Sequence, residues 1–281
     1  MPIRSSRTAL PQAKWWCSRT PSHLAAYHAY QPAGTSHAAN GAIIDETSAR
    51  TRPPTRKEAL QMDWNRSDTA VVFIDPQNDV LSPTGINWAA TGASVTENNT
   101  VAHMLAIFQA AQAASFGMFI SPHYFYPTDH RWLFNGSLEA DELRTGTFDR
   151  PGPLNLDGLP PGSGADWLEE FKPYINDPAT VVVSPHKVFG SQTNDLVLQL
   201  RKRRINKVLL GGMLANMCVE SHLRDLLEQG FEVYVIRDAV AGPRHPSGGD
   251  GYQAALINYA FLAHGGVVWT DDVVAAMRAA I

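Results

Sequence analysis

From residue 69 onward, short runs of β-branched and aromatic residues alternate with stretches of helical length, and that alternation decides the fold class. Strands are predicted over 70–75, 118–121, 180–184, 207–212, 232–237 and 266–269. Helices are predicted over 98–115, 165–174, 194–203, 217–229, 250–264 and 271–280. Runs such as Val71-Val72-Phe73-Ile74 and Val181-Val182-Val183 are apolar at every position. Strands covered by helices on both faces read this way. Strand–helix–strand units imply parallel strands joined by right-handed crossovers. The expected fold is α/β: a three-layer αβα sandwich around a central six-stranded parallel sheet, Rossmann-like in plan.

The first part of the chain has a different character. Residues 1–44 carry Arg4, Arg7, Lys14 and Arg19 but no acid, Asp45 being the first. Residues 1–60 are expected to form a flexible or arm-like extension, and 61–281 a single α/β domain. A basic, acid-poor start also fits an organelle transit peptide, although Pro2, Pro11 and Pro21 would interrupt its helix. The formal net charge of −4 leaves no electrostatic footprint for nucleic acid. No apolar run approaches the ~20 residues a membrane-spanning helix needs. Cys17 and Cys218 are far apart and form no C-x-x-C motif, so neither a disulfide framework nor a zinc knuckle is expected. A free thiol suits a reducing compartment, and a cytoplasmic location is expected, with an organelle as the alternative.

In an open parallel sheet, ligands sit beyond the carboxyl ends of the strands. The first strand ends in Asp75-Pro76-Gln77-Asn78-Asp79. The third is followed by Pro185-His186-Lys187-Val188-Phe189-Gly190. The fourth runs into Gly211-Gly212-Met213-Leu214-Ala215-Asn216-Met217-Cys218. An acid, a base and a thiol thus reach one edge of the sheet from three segments. Val219, Leu223, Leu226 and Leu227 form an apolar stripe that begins a helix near Met217. Cys218 then falls in a first helical turn, where backbone N–H groups and the helix dipole favour thiolate and can bind an oxyanion. Singly, each residue has a plainer reading: a small core cysteine, a turn-capping Asp, a solvated Lys.

Together these segments resemble the isochorismatase-like cysteine hydrolases. The resemblance rests on Val-Val-Phe-Ile-Asp75-Pro-Gln77-Asn-Asp79, on His-Lys187-Val-Phe-Gly-Ser-Gln-Thr193-Asn-Asp-Leu196, and on Gly212-Met-Leu-Ala-Asn-Met-Cys218-Val-Glu220. Ile236-Arg237-Asp238-Ala239 adds to it, and the match runs from about residue 69 to the end of the chain. It implies a triad with Asp75 as general base, Lys187 as electrostatic partner and Cys218 as nucleophile. It further implies a non-proline cis peptide at Met213–Leu214 and an oxyanion hole from the Leu214 and Cys218 N–H groups. Members commonly form homodimers or homotetramers. Two positions depart from the frequent pattern: Ala215 stands where many relatives have Thr, and Val80 replaces an aromatic. The Asp-x-His metal pair of nicotinamidases is replaced by Pro122-His123-Tyr124, so no metal and no other cofactor is expected. His123, Asp129 and His130 remain competent ligand types. A nucleophilic cysteine separates the chain from members that cleave the vinyl ether of isochorismate.

The expected activity is therefore hydrolysis of a C–N bond in a small amide, ureide or carbamoyl compound through a thioester. The alternative is an inactive small-molecule-binding or regulatory member. A dinucleotide-binding protein would need a G-x-G-x-x-G after the first strand, and none is present. Residues 122–164, rich in aromatics, Pro and Gly, are expected to wall the pocket. Tyr124, Tyr126, Trp132 and Phe134 are candidate pocket residues, as is Gln77. Arg244 is a candidate for meeting a substrate carboxylate, and a surface charge is the plainer reading. The aromatics equally could pack the loop onto the sheet.

Overall fold

The computed structural model describes residues 64–152, 159–263 and 267–281. The expected extension 1–60, its boundary with the domain, and any targeting segment lie outside the described residues. The chain runs β1 (Thr69–Ile74), α1 (Asn78–Leu81), α2 (Trp88–Glu97), α3 (Thr100–Ala113), β2 (Gly117–Ser121), α4 (Ser137–Thr145), α5 (Lys172–Ile175) and β3 (Val181–Val182). It continues through α6 (Leu196–Lys202), β4 (Lys207–Met213), α7 (Glu220–Glu228), β5 (Glu232–Ala241), β6 (Arg244–His245), β7 (Gly249–Asp250), α8 (Gly251–Leu262), β8 (Val267–Val268) and α9 (Thr270–Ala279).

Six strands form one sheet in the order β3-β2-β1-β4-β5-β8, and every pairing within it is parallel. The apolar-on-both-faces pattern of β1 has its physical cause here. Val71 and Phe73 point into one core with Met104, Ile107 and Phe108 of α3 and Val273 and Met277 of α9. Ala70, Val72 and Ile74 point into the other, with Leu196 and Leu200 of α6, Leu223 and Leu226 of α7, and Tyr259 of α8. The expected αβα sandwich is the observed one.

Several boundaries differ from expectation. The predicted helix over 98–115 is preceded by a second one, α2, and the two are parted at Asn99, which takes φ 50°. The predicted helix over 165–174 shrinks to a 3₁₀ turn (Glu169–Phe171) and α5. The segment 122–164 contains a helix of its own, α4, which its low apolar periodicity hid.

Chain order reverses at β1: β2 and β3 lie to one side, β4, β5 and β8 to the other. The switch point, where an open sheet leaves a crevice, therefore lies between β1 and β4. Those strands must approach closely. Gly212 makes this possible, because it takes φ 112° and any Cβ there would collide with the Ile74 carbonyl.

Candidate active site

Asp75 follows β1 directly and is buried. Its φ of 48° puts it in the left-handed region, which Asp tolerates better than most residues. Its N–H donates to the Ser121 carbonyl at 3.1 Å and its carbonyl accepts from Gln77 N–H at 2.8 Å. The carboxylate Oδ1 accepts from His186 Nε2 at 2.8 Å.

Cys218 lies across the crevice. The turn Ala215–Val219 that carries it is a π-helical turn, one residue wider than an α turn, and α7 begins after it. Such turns recur at functional sites. The Met213–Leu214 peptide is cis, as the resemblance implied. The thiol donates to the Val188 carbonyl at 2.9 Å. Asp75, His186 and Cys218 each present a polar or sulfur atom within 4.8 Å of the others. The expected thiolate at a helix start is overridden by burial. Desolvation pushes the Cys218 thiol well above its ordinary range, the negative charges of Asp75 and Glu142 add to this, as does a hydrogen bond with Asp75, and only the Leu214 N–H works the other way.

A directional chain of hydrogen bonds anchors the turn from below. The Asn194 amide donates to Ser121 Oγ at 2.8 Å. Ser121 Oγ meets His222 Nε2 at 2.9 Å, and His222 Nδ1 meets the Cys218 carbonyl at 2.7 Å. Since a carbonyl only accepts, Nδ1 carries the proton and Nε2 receives the serine's. Burial holds His222 well below the usual histidine range, with the nearby His186 acting the same way. The position Thr would occupy in many relatives is filled by Ala215, whose carbonyl accepts from Tyr259 Oη.

The isochorismatase domain family matches residues 69–272. The chain belongs to that family. This isochorismatase-family chain is 26% identical to ureidoacrylate amidohydrolase RutB of Variovorax paradoxus over 79% of its own length and 85% of the relative's. It is 28% identical to the protein of that name from Pseudomonas savastanoi pv. phaseolicola, over 72% and 80% of the two chains. Among solved structures, a cysteine hydrolase from Pseudomonas syringae pv. phaseolicola superposes with TM-score 0.63 at 21% identity, covering 78% of this chain and 97% of that one. N-carbamoylsarcosine amidase from Thermoplasma acidophilum superposes with TM-score 0.51 at 18% identity, covering 73% and 97%. These structures share the isochorismatase-family fold.

Within this isochorismatase-family site, Lys187 is not where the sequence put it. Its ammonium binds the Asp129 carboxylate and the Tyr124 carbonyl (2.8 Å) and lies 4.2 Å from the centre of the Tyr126 ring. The residue hydrogen-bonded to Asp75 is its neighbour His186. His186 extends the line of β3 and bridges to His123. Successive side chains of an extended segment face opposite sides, so when His186 faces Asp75, Lys187 turns toward the loop. The sequence carried this signal in the His-Lys pair, but spacing alone leaves the choice between them open.

The expected pocket residues divide. Tyr126 stays near Lys187, its buried hydroxyl without a hydrogen-bond partner. Trp132 packs edge-on against Phe125. Tyr124 is a packing residue, buried between Trp167 and the Arg150 guanidinium. Phe134 is 92% exposed and lines nothing. Gln77 is fully buried with its amide consumed, Nε2 donating to the His123 and Ala165 carbonyls and Oε1 accepting from His123 N–H. Arg244 is clamped by Glu97 and Asp250, so its guanidinium is already paired. A residue missed from sequence is Glu142 of α4. It is 7% exposed, its Oε2 is buried without a partner, and its carboxyl is pushed up to about 8, first by burial and then by the charge of Asp75.

The three residual ligand types take separate partners. His123 Nε2 accepts from Val188 N–H, Asp129 holds Lys187, and His130 pairs with Asp149. Among the described residues, the group with His, Cys and carboxylate atoms close enough to hold an ion is Asp75, His186 and Cys218 itself.

Proposed function

We propose that the protein hydrolyses a C–N bond of a small amide, ureide or carbamoyl compound, with Cys218 as nucleophile and Asp75 as general base. The observation that carries this reading is the convergence of Asp75 and Cys218 at the switch point of the sheet. A thiol raised this far by burial reacts only if its proton is removed as it attacks, and Asp75 is the adjacent carboxylate. The S–H proton passes to Asp75 while sulfur adds to the carbonyl carbon. The Leu214 and Cys218 N–H groups hold the oxyanion. Protonated Asp75 returns its proton to the leaving nitrogen, the C–N bond breaks, and a thioester remains. Water gives a proton to Asp75 as it adds to the thioester carbonyl, the C–S bond breaks, the acid leaves, and Asp75 returns the proton to sulfur.

The names of the relatives, ureidoacrylate amidohydrolase and N-carbamoylsarcosine amidase, support a substrate carrying a ureido or carbamoyl group. The buried, unpartnered Glu142 Oε2 and Tyr126 hydroxyl support it too, because a ureido nitrogen would bring N–H donors to acceptors that lack them. The family resemblance supports a homodimer or homotetramer, and the free thiol supports a cytoplasmic location, with an organelle as the alternative. Light scattering on a sizing column tests the first statement and cell fractionation the second. The activity is tested by screening primary amides, ureides and carbamoyl acids for ammonia release, with Cys218→Ala as control. An acyl adduct on Cys218, trapped by rapid acid quench and read by intact mass, is expected. Turnover at the full rate in Cys218→Ala overturns the mechanism.

A further inference from the structure

We infer that His186, and not Lys187, is the positioning residue that holds the Asp75 carboxylate aimed at the nucleophile. The inference deepens the reading of Asp75 as base and rests on it. A buried carboxylate stays charged only if it receives hydrogen bonds, and each donor it loses raises its affinity for a proton. His186 is such a donor: its Nε2 lies 2.8 Å from Asp75 Oδ1, and both side chains are withdrawn from solvent. That bond also fixes which oxygen works. Oδ1 is occupied by the imidazole N–H, leaving Oδ2 to take the thiol proton. As the S–H bond breaks, an O–H bond forms on Asp75, and His186 keeps its own proton throughout.

The surroundings of His186 are built to hold the ring still. His123, from the end of β2, stacks on it with ring centres 5.2 Å apart, and His222, from α7, meets it edge-on at 4.9 Å. Burial holds both of these neighbours neutral, His123 being pulled well below the usual histidine range by desolvation, then by His186 and Lys187. The titratable groups facing His186 are thus Asp75, Cys218 and two neutral imidazoles. Its Nδ1 is buried without a partner, so the bond to Asp75 is the ring's sole hydrogen bond among the described residues. Lys187 has the opposite character: its ammonium is spent on Asp129, the Tyr124 carbonyl and the face of Tyr126, where it pins the aromatic loop.

The test reads the thiol without a substrate, so it is independent of which compound is cleaved. In a Cys17→Ser background, the rate of Cys218 alkylation by iodoacetamide is followed by intact mass from pH 4 to 10. The acid limb of that profile reports the loss of the base that takes the thiol proton. In His186→Leu the limb is expected to move up by at least ~1 pH unit, so that the rate at a pH on the limb falls at least about tenfold while the rate well above it changes less, because a buried carboxylate has lost its donor. His186→Gln, which keeps an N–H in reach of Oδ1, is expected to restore the limb to within about 0.3 unit. Lys187→Met should leave the limb in place. The inference is overturned if Lys187→Met moves the limb, if His186→Leu folds and does not, or if wild-type Cys218 resists alkylation throughout. Should His186→Leu not fold, His186→Gln decides: a limb displaced as far as a lost donor would displace it also overturns the inference. Absence of ammonia release from every compound screened, with these alkylation shifts intact, would count against the proposed activity and leave the role of His186 standing.

Discussion

Replacing Glu142 by Gln should make the protein progressively more stable relative to the wild type as pH rises from acid to alkaline. The carboxyl is buried, one of its oxygens has no partner, and Asp75, Glu139, Asp141 and Asp79 all press on it with like charge. Its affinity for a proton rises accordingly, from the ordinary 4.5 to about 8. The folded state therefore holds a proton on Glu142 across a window where the unfolded state has released it. Stability must fall as pH rises through that window, from just above 4.5 to about 8, and stay low beyond it. The difference between 8 and 4.5 is about 3.5, and at 1.36 kcal/mol per pH unit the full effect is on the order of 5 kcal/mol. Outward relaxation of α4 and entry of water reduce it, so a differential of at least ~2 kcal/mol is the expected outcome. Gln carries the same shape and no charge. Its amide also brings buried donors, which cost ~1–3 kcal/mol if unpaired, but equally at every pH. The pH dependence of the difference, rather than its sign at one pH, is the decisive quantity. Guanidinium midpoints measured for both proteins from pH 5 to 9 supply it. A difference between the two that is flat over this range would refute the argument.

Other substitutions probe other links. Gly212→Ala should cost at least ~3 kcal/mol or prevent folding, because the added carbon collides with the backbone of β1 at φ 112°; yield of soluble protein and a thermal melt check this. His222→Phe removes the bond to the Cys218 carbonyl and leaves the Ser121 O–H without its acceptor, and a fall of about tenfold or more in kcat with a smaller change in KM is expected. Arg244→Met should leave KM for a carboxylate-bearing substrate within about twofold, since that guanidinium is spent on Glu97 and Asp250. Phe134→Ser, at a side chain 92% exposed, should shift stability by less than ~0.5 kcal/mol.

The sheet was legible in the sequence because its physics is local and repetitive. A strand buried on both faces must be apolar at successive positions, and β1 and β4 are. The carboxyl-end rule then named the segments that build the site. Individual side chains within those segments were less legible, for reasons that differ. Between His186 and Lys187 the sequence offers two adjacent bases, and only the phase of an extended segment decides which one faces inward. Arg244 reads as a carboxylate receptor until Glu97, 147 residues earlier in the chain, is found against it. Glu142 sits in a polar stretch with no apolar periodicity to mark a buried face, and only the packing of the long segment after β2 puts it in the interior.

The misplacement of Lys187 bears on how the nucleophile is activated. A lysine beside Asp75 would bring a permanent positive charge into the crevice, which would lower the thiol's proton affinity along with the acid's. A histidine donating one hydrogen bond supplies direction with much less field. The resting thiol here lies under the opposite bias, held protonated by burial and by the charge of Asp75, with Glu142 adding to it only once that carboxyl ionises near 8. Activation in this arrangement is therefore a concerted transfer to Asp75 at the moment of attack, not a standing thiolate at a helix end. Cys218 should accordingly show little thiolate absorbance near 240 nm at pH 7. Its iodoacetamide reactivity should nevertheless depend on Asp75, with Asp75→Asn slowing alkylation at least about tenfold. Strong thiolate absorbance at neutral pH, undiminished in Asp75→Asn, would instead mean that the backbone N–H groups at the turn carry the activation alone.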